Sequence, residues 1–319
     1  MREPDLSHLL PEFRTHALLP DLERIVRIRS ERWVDHPAAL DVLAQLQEIV
    51  DQPPRGRMLN ALLTAEPGMG KTMTLQKLVR ENVRAFDGKT GIEPSPVLYV
   101  LMPPMPTEDA FFGQVFAALG TPAVTHHSVP HRRDTALRLL RECGTRTLVI
   151  DELNSVLAGS PRQQRAFLQL LRFLSNELSI ALICAGAPEA RQALLTDPQL
   201  RSRFIEVELP LWQDGEDLRL FLARLVQSLP LRQPSPVDSR PLRRLVATRS
   251  TGLTWTICKA FERAAVVAIT SGRERLDQSS FEDPETWRGL AVAGLAGKGP
   301  GVQPRVRVRR PLAVVRSET

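Results

Sequence analysis

The stretch Thr64-Ala65-Glu66-Pro67-Gly68-Met69-Gly70-Lys71-Thr72 sets two glycines, a lysine and a hydroxyl at the spacing that can hold phosphate. Loops that wrap phosphates follow G-x-x-x-x-G-K-[ST], and this stretch departs from the pattern only at its first position, where Ala65 stands. Gly68 and Gly70 can take backbone angles closed to other residues, so successive N–H groups can turn toward one anion. Lys71 would reach the β- and γ-phosphates of a nucleotide, and the Thr72 hydroxyl would ligate Mg²⁺. A helix beginning here would aim its positive end at the same anion. Ala65 is the smallest replacement for glycine and fits if its φ is negative. Glu66, Pro67, Gly68, Met69, Gly70, Lys71, Thr72 and Met73 are therefore the candidate nucleotide-binding residues.

A second constellation lies some 80 residues further on, where the apolar run Thr147–Ile150 ends in Asp151 and Glu152. At the carboxyl edge of a sheet, beside the phosphate loop, Asp151 would hold Mg²⁺ together with Thr72. Glu152 would polarise a water. The plainer alternative is an exposed acidic turn after a strand. His126, His127 and His131 cluster in HHSVPH, but Pro130 breaks any helical pairing and no carboxylate or cysteine completes a metal site. That segment reads as a basic loop between the second and third strands, facing phosphates or only solvent. Arg24, Arg27, Arg29 and Arg32 form a basic stretch for DNA, a partner subunit or solvent.

These residues need a frame. Apolar runs at 58–64, 96–102, 146–151, 179–186 and 204–209 read as strands, and helical patterns at 76–86, 108–120 and 164–178 separate them. Such alternation implies a parallel sheet with helices on both faces. Residues 1–50 are helix-like, with Leu40, Leu43, Leu46, Ile49 and Val50 at helical spacing. From Trp212 onward the strands stop and three helical patterns follow. The expected division is an N-terminal helical extension (1–50), an α/β core (51–210), a helical lid (211–290) and a basic, disordered tail (291–319).

Composition limits the function classes. The chain of 319 residues is 43% hydrophobic, enough for one large core and a smaller second domain. The start MREPDLSHLL carries no basic and then apolar leader, and runs such as IALICAGA fall well short of a span, so a soluble cytoplasmic protein without membrane partners is expected. Cys143, Cys184 and Cys258 lie far apart and read as reduced cysteines. The tail holds six basic residues against Glu318 alone, accounting for +5 of the formal +6. The body is thus nearly neutral, and charge alone does not mark it as a nucleic-acid binder. Aromatics at 5%, with one tyrosine, do not encourage stacking on single strands.

The acidic pair after the third strand and the helical lid resemble the AAA+ ATPases. Within them, the segments RMLNALLTAEPGMGKT, IDELNSVLAGSPRQQRAFLQLLRFLSNEL, CAGAPEA and DPQLRSRFIEVELPLW resemble the TniB/TnsC group of transposition regulators over residues 20–270. The resemblance implies an AAA+ P-loop fold with a five-stranded parallel sheet and a helical lid. It also implies ATP and Mg²⁺, assembly as a ring or helical filament on double-stranded DNA, and contact with a DDE transposase and a target-selection protein. By position, Glu152 matches the water-activating acid. Arg203 matches the arginine inserted into a neighbour's site, with Arg201 as the alternative. Three positions depart from the pattern. Asn154 stands where relatives often carry His, and Ala187 replaces the hydroxyl or amide that senses the γ-phosphate. The lid helix lacks its arginine; Lys259 could substitute for it, but reads more simply as a helix-surface lysine. Slow, switch-like hydrolysis is the expectation, with a nucleotide-gated adaptor or another AAA+ role as alternatives.

Overall fold

The computed structural model describes residues 5–86, 93–121, 128–195 and 197–290. The tail, His126 and His127 lie outside the described residues. Three helices come first: α1 (Pro11–Ala17), α2 (Asp21–Arg29) and α3 (Pro37–Asp51). The α/β part follows as β1 (Asn60–Thr64), α4 (Lys71–Glu81), β2 (Val97–Leu101), α5 (Glu108–Ala118), α6 (Val129–Glu142), β3 (Thr147–Asp151), a 3-10 turn (Leu153–Ala158), α7 (Pro161–Leu178), β4 (Ala181–Gly186), α8 (Ala190–Leu195), α9 (Pro198–Arg201) and β5 (Phe204–Glu208). Among the described residues only helices come after it: α10 (Glu216–Gln227), α11 (Arg240–Ser250), α12 (Thr254–Thr270), α13 (Ser279–Glu282) and α14 (Pro284–Trp287).

The five strands form one sheet in the order β2-β3-β4-β1-β5, every pairing parallel. Its central strands are buried along their whole length, which explains their unbroken apolar runs. Alternate side chains serve opposite faces. Ala61, Leu63, Val149, Ile183 and Ala185 pack with α3, α4 and the C-terminal helices; Leu62, Leu148, Ile150, Leu182 and Cys184 pack with α5, α6, α7 and α8. Edge strand β5 instead turns Glu206 and Glu208 outward, where Arg191 of α8 pairs with both, and charge discourages pairing with another edge.

Several expectations change. Leu40 is 46% exposed, and α3 turns Ala39, Val42, Leu43, Leu46 and Ile49 inward instead. Helix α4 stops at Glu81, short of Phe86, because the Asn82 side chain donates to the Leu78 carbonyl (2.8 Å) and ties off the last turn. His131, Arg132 and Arg133 lie in the first turns of α6 rather than in a loop, since Pro130 suits a helix start. Arg132 pairs with Asp109 and Arg133 with Glu108. No helix among the described residues is long and apolar enough to cross a membrane.

Candidate nucleotide site at the carboxyl edge of the sheet

Parallel strands end on one side of the sheet, so register decides which chain segments meet there. Thr64 pairs with Gly186 and Leu101 with Asp151, which brings the loops after β1, β3 and β4 to one edge. The loop after β1 turns through Gly68 (φ 82°) and Gly70 (φ 95°), left-handed angles that a side chain would strain. Gly70 caps α4, leaving the N–H groups of its first turn pointing out of the loop. Ala65 is buried and its φ is not positive; its N–H donates to the Gly186 carbonyl (3.3 Å), so the missing glycine costs nothing here.

Lys71 is only 7% exposed, and its Nζ donates to the Ala65 carbonyl (2.9 Å) and the Glu66 carbonyl (3.4 Å). Burial lowers its pKa, while Glu152, Asp151, Glu66 and Glu189 oppose the shift. A buried ammonium held by neutral carbonyls is matched to an anionic ligand. The Thr72 hydroxyl donates to Asp151 Oδ2 (2.7 Å), so the two candidate metal residues of the sequence meet across two strands. Their oxygens are the hard donors that Mg²⁺ takes, and the pair fits that ion.

A cleft of about 570 Å³ opens over these groups. Pro67, Gly68, Gly70, Lys71, Thr72, Met73 and Glu152 line it, so most of the sequence-derived set lies in one place. Met69 instead packs into the core behind the loop, and the Glu66 carbonyl braces Lys71. Arg203 is not in the cleft wall. It stands at the amino end of β5 and donates to Asn176 Oδ1 of α7 (2.6 Å); burial, then Arg57 and Arg172, lower its pKa.

The sequence reading missed several groups in the cleft wall or behind it. Tyr99, the chain's one tyrosine, points from β2 and donates to the same Asp151 Oδ2 (2.9 Å). A hydroxyl in the otherwise apolar run Val97–Leu101 was the available signal. Arg29, Arg32 and Val34 reach the cleft from the end of α2 and the segment after it, and Trp255, Cys258, Lys259 and Glu262 reach it from α12. Lys259 is thus no plain surface lysine: it lines the cleft, paired with Glu262 (2.7 Å). The Trp255 N–H donates to the Gly68 carbonyl (2.8 Å), so α12 is hydrogen-bonded to the phosphate loop itself. Arg24, by contrast, turns away from solvent and is fully buried.

The family described as bacterial TniB protein matches residues 24–214, more than half of the chain. The chain belongs to the TniB family. This TniB chain also resembles solved structures. The Aeropyrum pernix ORC1 protein in complex with DNA matches with a TM-score of 0.59 at 20% identity, over 81% of this chain and 67% of that one. The Cdc6p of Pyrobaculum aerophilum matches with a TM-score of 0.56 at 20% identity, over 78% and 67%. The Drosophila ORC bound to DNA matches with a TM-score of 0.53 at 15% identity, over 82% and 64%. At these identities the likeness is one of fold, and it assigns the TniB chain to the α/β AAA+ P-loop architecture. No curated protein sequence matches the chain.

Proposed function

We propose that this TniB-family protein is an ATP-dependent regulator of DNA transposition. In this reading it assembles on double-stranded target DNA and recruits or activates a DDE transposase. The observation that carries the nucleotide part is the convergence of Lys71, Thr72 and Glu152 in one cleft, with Asp151 hydrogen-bonded to Thr72 just behind it. Family membership carries the link to transposition, and solved relatives that hold DNA support DNA as partner. Lys71 would turn from the Ala65 carbonyl to the β- and γ-phosphates, and Thr72 and Asp151 would share the magnesium shell. Glu152 would polarise the attacking water. Arg203, at the amino end of β5, would complete a neighbouring subunit's site, making hydrolysis a property of the assembly.

Electron microscopy of the full chain with duplex DNA tests this reading, comparing ATP, ADP and no nucleotide. Rings or filaments on DNA with ATP alone are expected; DNA binding indifferent to nucleotide would sink it. Lys71→Ala should weaken nucleotide binding by roughly 100-fold and remove ATP-dependent DNA association, because it deletes a charge-assisted contact to phosphate. Arg203→Ala should leave binding of a fluorescent ATP analogue within about twofold and cut DNA-stimulated turnover by roughly 1,000-fold.

Ala187 favours a second reading, a nucleotide-gated adaptor that scarcely hydrolyses, since its side chain offers no hydrogen bond to a γ-phosphate. Equal turnover in wild type and Glu152→Gln would support the adaptor; a clear drop in the variant supports the ATPase.

A further inference from the structure

The lack of a polar side chain at 187 has a counterpart beside it. Glu152 sits in a left-handed backbone conformation (φ 59°, ψ 42°), uncommon for a residue with a side chain. That turn brings Asn154, the first polar side chain after the acidic pair, back beneath its carboxylate. Asn154 Nδ2 donates to Glu152 Oε2 at 3.1 Å. The same amide accepts, through Oδ1, the backbone N–H of Ala187 at 3.1 Å. One amide thus ties the carboxylate after β3 to the chain leaving β4. Glu152, Asn154 and Ala187 all line the cleft. Gly186 permits the closure: a Cβ there would stand 2.8 Å from Asn154 Oδ1 and 2.8 Å from Ala190 Cβ.

We propose that Asn154 is a positioning residue for Glu152 and supplies, from the 3-10 turn, the amide that position 187 lacks. The inference rests on the ATPase reading above and deepens it. With Oε2 held by Asn154, the other Glu152 oxygen carries no hydrogen bond to a described residue and is left for a water. In the step served, that water's oxygen bonds the γ-phosphorus as the bond to the β–γ bridging oxygen breaks. The leaving ADP keeps the electron pair, and the water's proton passes to Glu152. Because Asn154 also grips the Ala187 N–H, a shift at the end of β4 is transmitted directly to the carboxylate.

Two substitutions separate the halves of this bridge. Asn154→Ala loses both hydrogen bonds. Asn154→Asp keeps the acceptor for Ala187 and loses the donor to Glu152. The test uses the full chain with duplex DNA and reads three quantities: equilibrium binding of mant-ATP with Mg²⁺, single-turnover ATP hydrolysis, and amide hydrogen exchange of the segment carrying Ala187. Both variants should bind mant-ATP within about twofold of wild type and hydrolyse roughly 10- to 100-fold more slowly. Asn154→Ala alone should speed exchange at Ala187. In a Glu152→Gln background, Asn154→Ala should add no further loss, since the two groups act as one unit. Wild-type hydrolysis in Asn154→Asp with binding intact would overturn the role of Asn154 and leave the ATPase reading standing. So would loss of mant-ATP binding in both variants, the mark of a merely structural residue. A wild type that binds no mant-ATP, or binds it without turnover on DNA, defeats the ATPase reading and this inference with it.

Discussion

At Asp151 one carboxylate oxygen accepts two hydroxyls, from Thr72 at 2.7 Å and from Tyr99 at 2.9 Å. Thr72 is the hydroxyl that would move to a metal; Tyr99 reaches in from the neighbouring strand and stays. Burial, then the charge and hydrogen bond of Asp151, push the Tyr99 phenol upward, so it remains a donor at any working pH. Partners of a ligating carboxylate fix its direction and tune its hold on the ion. Tyr99→Phe should therefore raise the Mg²⁺ concentration for half-maximal nucleotide binding roughly 10-fold, with the fold retained. A titration of mant-ATP binding against Mg²⁺ checks it; an unchanged midpoint would mean Thr72 alone orients Asp151.

Among the elements, α3 starts on an unusual cap. His36 Nδ1 accepts the Ala39 N–H at 3.2 Å while its ring packs edge-on against Trp212 and Phe221. Capping requires the neutral ring, and burial pushes the imidazole down to about 4 from 6.5. Between those values the unfolded chain binds a proton that the folded chain refuses. Stability is therefore full above the unfolded value and is lost as pH falls toward the folded one. The effect is on the order of 2–3 kcal/mol. His36→Asn keeps a side-chain acceptor at the cap and removes the titration. The fall in melting temperature between about pH 7 and pH 5 should be smaller in the variant than in wild type. Equal falls would place the acid sensitivity elsewhere.

For the molecule as a whole, the notable contact joins the first helices to the last. Arg24 of α2 is fully buried and donates to both oxygens of Glu274 and twice to the Pro230 carbonyl (3.1 and 2.8 Å). Glu274 lies just past α12, so the segment after α2 and the helix that touches the phosphate loop are bound to the same post. Both supply walls of the cleft, and the clamp makes them one wall. Arg24→Ala would leave Glu274 buried with Arg232 as its remaining ion-pair partner, at 3.7 Å. The loss should be about 3 kcal/mol of unfolding free energy, read by urea denaturation, with residues 18–30 cut earlier by protease. A loss below about 1 kcal/mol would mean that apolar packing of α2 on α12, not the ion pair, holds the two together.

By itself the sequence determined what depends on neighbours along the chain. Unbroken apolar runs marked strands buried on both faces, and Gly68, Gly70, Lys71 and Thr72 marked a candidate phosphate loop because its backbone and charges act within nine residues. The acids at 151 and 152 were legible as candidates because they end an apolar run. Tertiary structure decided what depends on distance across the fold. It laid β4 between β3 and β1, turned Leu40 out, buried Arg24 against a residue 250 positions away, brought Asn154 and Lys259 into the cleft, and set Tyr99 against Asp151. An arginine in a basic stretch carries no local sign of its partner, and a hydroxyl in an apolar strand signals a buried polar group without saying what it meets. Burial and hydrogen bonding are set by whatever the chain folds against, and only the packed molecule specifies that.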